Sequence, residues 1–133
     1  MNRISSPVIT WQIFALVLIS VGGSAFGQIA LKFGMASASV QAALTTGGVV
    51  PVSTAIVINP FVLSGLFLYG FSAVVWLFVL ARLDVSIAYS FVSLGFIVIM
   101  SLGCLLFGEP FTLRKLLGTI VVMLGVYLVA AVR

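Results

Sequence analysis

Residues able to do chemistry are few in this chain, and their arrangement points to binding rather than to bond-making. Gln28 and Lys32 stand four positions apart, one helical turn, so an amide and an ammonium can address one ligand from the same face. A phosphate held at membrane depth needs such a cation with hydrogen-bond donors beside it. Lys32 is the one charged residue that falls inside an apolar run, and ionisable groups there are functional by default. Its plain alternative is a lysine whose stem stays among apolar groups while the ammonium reaches the interface, paired with Glu109. Arg114 and Lys115 can gather the same anion first, from the surface. Tyr89, Ser90 and Ser93, with Ser86 before them, supply hydroxyls on neighbouring helix faces, and Tyr69 and Ser72 can join them. Serine in an apolar helix otherwise bonds its own backbone. The chain has no His and a single cysteine, Cys104, so nucleophilic catalysis has no base. No cluster has metal-ligand spacing, and the glycines form neither a phosphate loop nor a dinucleotide fingerprint. The expectation is a non-enzyme without metal or cofactor.

The elements that must position these residues follow from composition. Of 133 residues, 63% are hydrophobic and 6% charged, with a mean hydropathy of +1.41; a soluble domain carries roughly 25% charged residues, so that class is excluded. Disorder and a disulfide scaffold fall with it. The net charge of +4 comes from six scattered basic residues and no basic stripe, which argues against nucleic acid. A spanning helix needs about 20 apolar residues, so the length allows about four. The fold class expected is therefore an all-α membrane protein, one domain over residues 1–133 with four antiparallel transmembrane helices. The spans run from about 10–33, 61–80, 87–107 and 116–132. The first is too long and too rich in Gly and Gln for a signal-peptide core. Asn59-Pro60 opens the second as a cap followed by proline, and Gly108-Glu109-Pro110 ends the third. Trp11, Trp76 and Tyr127 lie toward span ends, where aromatic belts form.

The last two connections are short, which makes consecutive helices antiparallel neighbours. The first, roughly Gly34 to Asn59, is a long non-spanning loop between the first and second helices. It is mostly apolar, yet Gly47-Gly48, Pro51 and Pro60 prevent a continuous span. Its backbone must lie at the interface or be covered by protein; the alternatives are a surface loop and a lid. With four spans, Arg3, Arg82 and Arg133 share one side and Lys32, Arg114 and Lys115 the other. Three against three leaves almost no positive-inside bias, as in a protein that inserts both ways or has an oppositely oriented partner. Gly23 and Gly27 form a GxxxG pair in the first span, for packing within the monomer or between chains. Gly118 and Gly125, two turns apart in the last helix, are expected to make a dimer contact.

The third and fourth spans carry a pattern. The stretch SIAYSFVSLGFIVIMSLGCLLFGEPFTLRKLLGTIVVMLGVYLV resembles the EamA-like half of the drug/metabolite transporter superfamily, and GQIALKFGM resembles that family's end of the first helix. Two four-helix branches compete. The small multidrug resistance branch is similar in length, in the Ala88-Tyr89 region and in the Gly118/Gly125 spacing. It relies on a membrane-embedded Glu that here corresponds to Ser24. No span contains a carboxylate, and coupling protons to a cation needs one. That reading, an exporter of small cationic or polar metabolites, is weakened.

The other branch is the small subunits of the 4-amino-4-deoxy-L-arabinose–phosphoundecaprenol flippase. Gly27-Gln28, Ala88-Tyr89, Ser93-Leu94 and Glu109-Pro110 match its pattern. The resemblance implies movement of a polyprenyl-phosphate-linked sugar across the bacterial inner membrane by a multi-pass pair of such chains, a homodimer or a heterodimer. It implies no chemistry. The substrate-binding residues expected are Ser24, Gln28, Lys32, Tyr89, Ser90, Ser93, Arg114 and Lys115. The first loop is longer than in that branch, so the head group can differ. A non-transporting assembly subunit is the further alternative.

Overall fold

Six helices account for almost all of residues 11–131, which the computed structural model of the chain describes: α1 (Trp11–Met35), α2 (Ala38–Thr46), α3 (Val49–Ile58), α4 (Pro60–Leu80), α5 (Val85–Phe107) and α6 (Leu113–Ala131). The expectations placed on Arg3, Thr10, Val132 and Arg133 lie outside these residues. Among the described residues, α1, α4 and α5 are long and apolar enough to cross a membrane. Large apolar side chains point outward all along them: Phe67 and Leu105 are 78% and 79% exposed. Water would not tolerate that surface, whereas lipid solvates it. The chain is an all-α membrane protein.

The tightest contact is between α1 and α4, and glycine makes it. A β-carbon added to Gly65 would lie 2.9 Å from the Gly27 carbonyl oxygen and 2.8 Å from the Leu31 amide nitrogen; one added to Gly34 would lie 2.8 Å from the Val62 nitrogen. Numbers rise along α1 as they fall along α4, so the two helices are antiparallel. The GxxxG pair is thereby spent inside the monomer, with Gly23 facing Ser72 and Gly27 facing Gly65 and Tyr69. Where lipid offers no hydrophobic drive between helices, close backbone approach supplies the attraction through dispersion. Val21 meets Gly95, and Phe33 stacks on Phe107 at 4.5 Å, so α5 runs parallel to α1. Met100 meets Thr119, which sets α6 antiparallel to α5. Ile13, Val17, Val79, Leu83 and Ala88 close one end of the bundle as a small buried core.

The segment between α1 and α4 departs from an irregular loop. It forms two short helices broken at Gly47 and Gly48, whose φ angles of 77° and 101° suit glycine. Neither helix is long enough to span. Hydrogen bonding explains why an apolar stretch with Pro51 becomes helical. In an apolar setting the backbone must pair with itself, and Pro51, in the first turn of α3, has no amide whose absence matters there. Asn59 locks the return. Its Oδ1 accepts from the Phe61 and Val62 amides at 3.0 and 3.2 Å, and its Nδ2 donates to Ser37 Oγ at 2.8 Å. One buried side chain thus caps α4, with Pro60 at its first position, and ties that cap to the turn after α1. At the far end, Gly108 in the left-handed region stops α5 and turns the chain toward α6.

Candidate functional site

Two grooves open between the helices and share Phe96 and Ile99 in their walls. The first, about 280 Å³, lies among the central turns of α1, α4 and α5. Ser20, Ser24 and Gln28 reach it from α1, Tyr69, Ser72 and Trp76 from α4, and Tyr89 from α5. Among the described residues, no charged residue lines it. The three serines each donate to their own helix, Ser20 to the Val17 carbonyl, Ser24 to Val21 and Ser72 to Leu68, at 2.7–3.0 Å. A hydroxyl whose proton is so committed still has lone pairs, so these serines present acceptors to the groove. Gln28, Tyr69 and Tyr89 make no side-chain hydrogen bond among the described residues and present free donors. Trp76 stands edge-on to Tyr89 with centroids 6.1 Å apart. The walls thus offer donors, acceptors and aromatic faces without net charge.

The second groove, about 480 Å³, runs between α1, α5 and α6 and is mostly apolar, with Ile29, Ile99, Met100 and Val122 among its walls. Its end is charged. Lys32 donates to Glu109 Oε1, and Lys115 Nζ lies 3.6 Å from Oε2. The Lys32 ammonium also sits 4.4 Å over the Phe107 ring, a cation–π contact. The hydrogen bond and charge of Lys32, with a smaller contribution from Lys115, hold the Glu109 carboxyl below the usual carboxylate range. Lys32 occupies the last turn of α1, where the helix dipole favours a cation.

These grooves divide the residues singled out from sequence. Ser24, Gln28 and Tyr89 meet in the first; Lys32, Lys115 and Gly118 meet in the second. Gln28 and Lys32, one turn apart, face different grooves. Ser90 and Ser93 line neither; Ser90 bonds the Ser86 carbonyl and Ser93, buried, the Ser90 carbonyl. Arg114 is exposed in the first turn of α6 and joins no ion pair among the described residues. Among the described residues, a β-carbon at Gly118 or Gly125 would meet nothing within 4 Å, so neither glycine makes a close helix contact there. Ser20 and Trp76 were missed as lining residues. A signal for Ser20 was present, because Ser20, Ser24 and Gln28 recur every fourth residue and make one polar stripe on an otherwise apolar helix.

Over 120 residues the chain is 30% identical to the probable 4-amino-4-deoxy-L-arabinose-phosphoundecaprenol flippase subunit ArnE of Pseudomonas fluorescens strain Pf-5, a match that takes in 86% of this chain and 94% of that protein. The chain belongs to the ArnE family. Shorter matches reach higher identity: 40% over 58 residues with the ArnE of Pseudomonas syringae pv. syringae strain B728a, and 39% over 70 residues with that of Pseudomonas fluorescens strain Pf0-1. These take in 44% and 53% of this chain and span 54% and 61% of the relatives' own lengths. No family model matches the chain, and no solved structure matches it.

Proposed function

We propose that this chain is a non-enzymatic subunit of a flippase that moves a polyprenyl-phosphate-linked sugar across the bacterial inner membrane. In this reading α6 is a fourth crossing, so that the monomer has four antiparallel spans. The observation that carries the proposal is the first groove: a charge-free wall of hydroxyl, amide and aromatic groups halfway along helices whose outer faces are apolar. A lipid-linked sugar keeps its chain in lipid, so only the polar head must be sheltered. Free donors on Gln28, Tyr69 and Tyr89, with serine acceptors between them, replace the water that the head group gives up. The second groove opens beside the first, and its apolar walls suit the chain while Lys32 and Lys115 face the phosphate. Membership in the ArnE family, whose relatives carry flippase-subunit names, supports the same class.

The face of α6 at Gly125, where an added β-carbon meets nothing among the described residues, supports pairing with a second four-helix chain, a homodimer or a heterodimer, in antiparallel arrangement. The balanced basic residues fit such a pair, since neither orientation is favoured.

Photo-crosslinking tests the groove assignment. A photoreactive residue at Gln28 or Tyr89 should capture a polyprenyl-phosphate-linked sugar added to membranes, and one at Phe67 on the outer face of α4 should not. Equal capture at all positions would mean that the groove holds no substrate.

A further inference from the structure

We propose that Glu109 makes the Lys32–Lys115 end of the second groove selective for a singly charged phosphodiester over a doubly charged phosphomonoester. The inference rests on the reading above, that this groove receives a lipid phosphate.

The charge count at the site is the starting point. Lys32 and Lys115 bring two positive charges to one place, and the Glu109 carboxylate stands between them, one oxygen toward each. The net charge is +1. The carboxylate is seated by backbone rather than by its own flexibility: Gly108 turns the chain in the left-handed region, Pro110 follows, and a β-carbon at Gly103 would come 3.2 Å from Glu109 Oε2. Glu109 therefore lies close against the bare α5 backbone at Gly103, where an added β-carbon would press on the carboxylate. The lysine side chains are 46% exposed and that of Glu109 36%, so all three can be reached from the open side. Below them the walls are apolar.

A phosphodiester brings one negative charge and neutralises this end. A phosphomonoester carries about −1.5 to −2 at neutral pH, with a second pKa of about 6, so one charge is left uncompensated, desolvated against the apolar wall and beside the carboxylate already in place. Like charges side by side next to an apolar wall repel more strongly than in water. A lipid-linked sugar is a phosphodiester, and the bare carrier left when the sugar has been transferred is a phosphomonoester. Glu109 would thus admit the loaded carrier and turn the spent one away, without any contact to the sugar.

The test uses the full chain in nanodiscs, with a long-chain prenyl monophosphate and its monomethyl ester as probes, which differ at the phosphate by one methyl group and one charge. At about pH 7.5, wild type should prefer the ester, and Glu109→Gln should tighten both lipids but the monophosphate roughly fivefold more, the size of a partly exposed charge interaction, so that the preference is lost. Wild type alone gives a second readout. As the pH falls to about 5.5, below the second phosphate pKa of about 6, the monophosphate should approach the ester in affinity, while the ester stays level. Lys32→Ala and Lys115→Ala should weaken both lipids, and inorganic phosphate should displace neither. If the lysine variants bind both lipids as wild type does, or if inorganic phosphate displaces them, the lipid-phosphate reading of the groove falls and this inference with it. If the lysines matter but Glu109→Gln and the pH change leave the ratio of the two affinities unaltered, the groove reading stands and the selectivity is refuted.

Discussion

Gly27 and Gly65 bring α1 and α4 into backbone contact: a β-carbon on Gly65 would lie 2.9 Å from the Gly27 carbonyl oxygen. Of the three atoms it would strike, that oxygen and the Leu31 amide nitrogen are main chain and cannot rotate away, and only the third, Leu31 Cγ, belongs to a side chain. Gly65→Ala should therefore destabilise the chain by about 1–3 kcal/mol, the usual cost of overpacking. Gly22, whose added β-carbon meets nothing within 4 Å, is the control, and Gly22→Ala should leave stability unchanged or raise it by up to about 1 kcal/mol through helix propensity. Denaturant titration in mild detergent compares the two. Equal effects would show that the α1–α4 contact is not made.

Asn59 should be the most sensitive polar residue outside the grooves. Asn59→Ala removes a cap that serves two amides and the Nδ2 donor to the Ser37 hydroxyl, which keeps only its local bonds to the Gly34 carbonyl and Ser39. The expected loss is about 1–2 kcal/mol. Amide exchange should rise at the start of α4 and in α2 together, because one side chain holds both. Faster exchange in α4 alone would mean that the tie to Ser37 is not formed in the membrane.

Gly125→Leu should separate assembly from folding. The position is open within the chain, so the monomer should unfold as wild type does while self-association or association with a partner subunit weakens. Single cysteines at Val121 and Leu128, both exposed on the Gly125 side of α6, in a background where Cys104 is replaced, should crosslink between chains, and Gly125→Leu should reduce the yield. Undiminished crosslinking would remove α6 from the interface.

The Glu109 carboxyl has its acidity set by Lys32 first and Lys115 second, which hold it below the usual range. A depressed value means that the ion pair stabilises the fold at and above the ordinary carboxylate pKa and that this contribution fades as pH falls through the depressed one. A carbon-13 titration of Glu109 should thus show a midpoint below that of an unpaired glutamate, rising toward the ordinary value in Lys32→Ala. A midpoint unmoved by that substitution would contradict the pairing.

Much of this was legible in the sequence, for identifiable reasons. Asn59-Pro60 marks the start of α4 because an amide acceptor and a residue without an N–H suit a helix entry, and the structure starts α4 there. Gly108 marks a stop because it tolerates positive φ. The Lys32–Glu109 contact follows from hairpin topology, which brings the end of α1 and the end of α5 to one side of the bundle. Other features were not legible. Gly65 lies in a stretch whose hydrophobicity is uniform, and only the partner helix reveals what its missing side chain permits. The helices α2 and α3 sit in a segment whose glycines and prolines read as breaks; the breaks are real, but each interval between them is long enough for a short helix. Gln28 and Lys32 share a helix face by spacing, yet α5 packs against α1 so that the two side chains fall on either side of it and enter separate grooves.

The central claim, that the first groove shelters the head group of a lipid-linked sugar, is tested most directly by transbilayer movement in proteoliposomes. The chain is reconstituted alone and with a second four-helix subunit, and the exposure of a polyprenyl-phosphate-linked sugar to a membrane-impermeant reagent is followed in time. The account predicts faster movement with wild type, a loss of about tenfold or more when Gln28 and Tyr89 are replaced together by Ala and Phe, each good hydrogen bond lost being worth about 1 kcal/mol, and no change for Phe67→Leu on the outer face. Movement no faster than in protein-free vesicles in either reconstitution, or proton-coupled efflux of quaternary ammonium compounds in place of lipid movement, would contradict it.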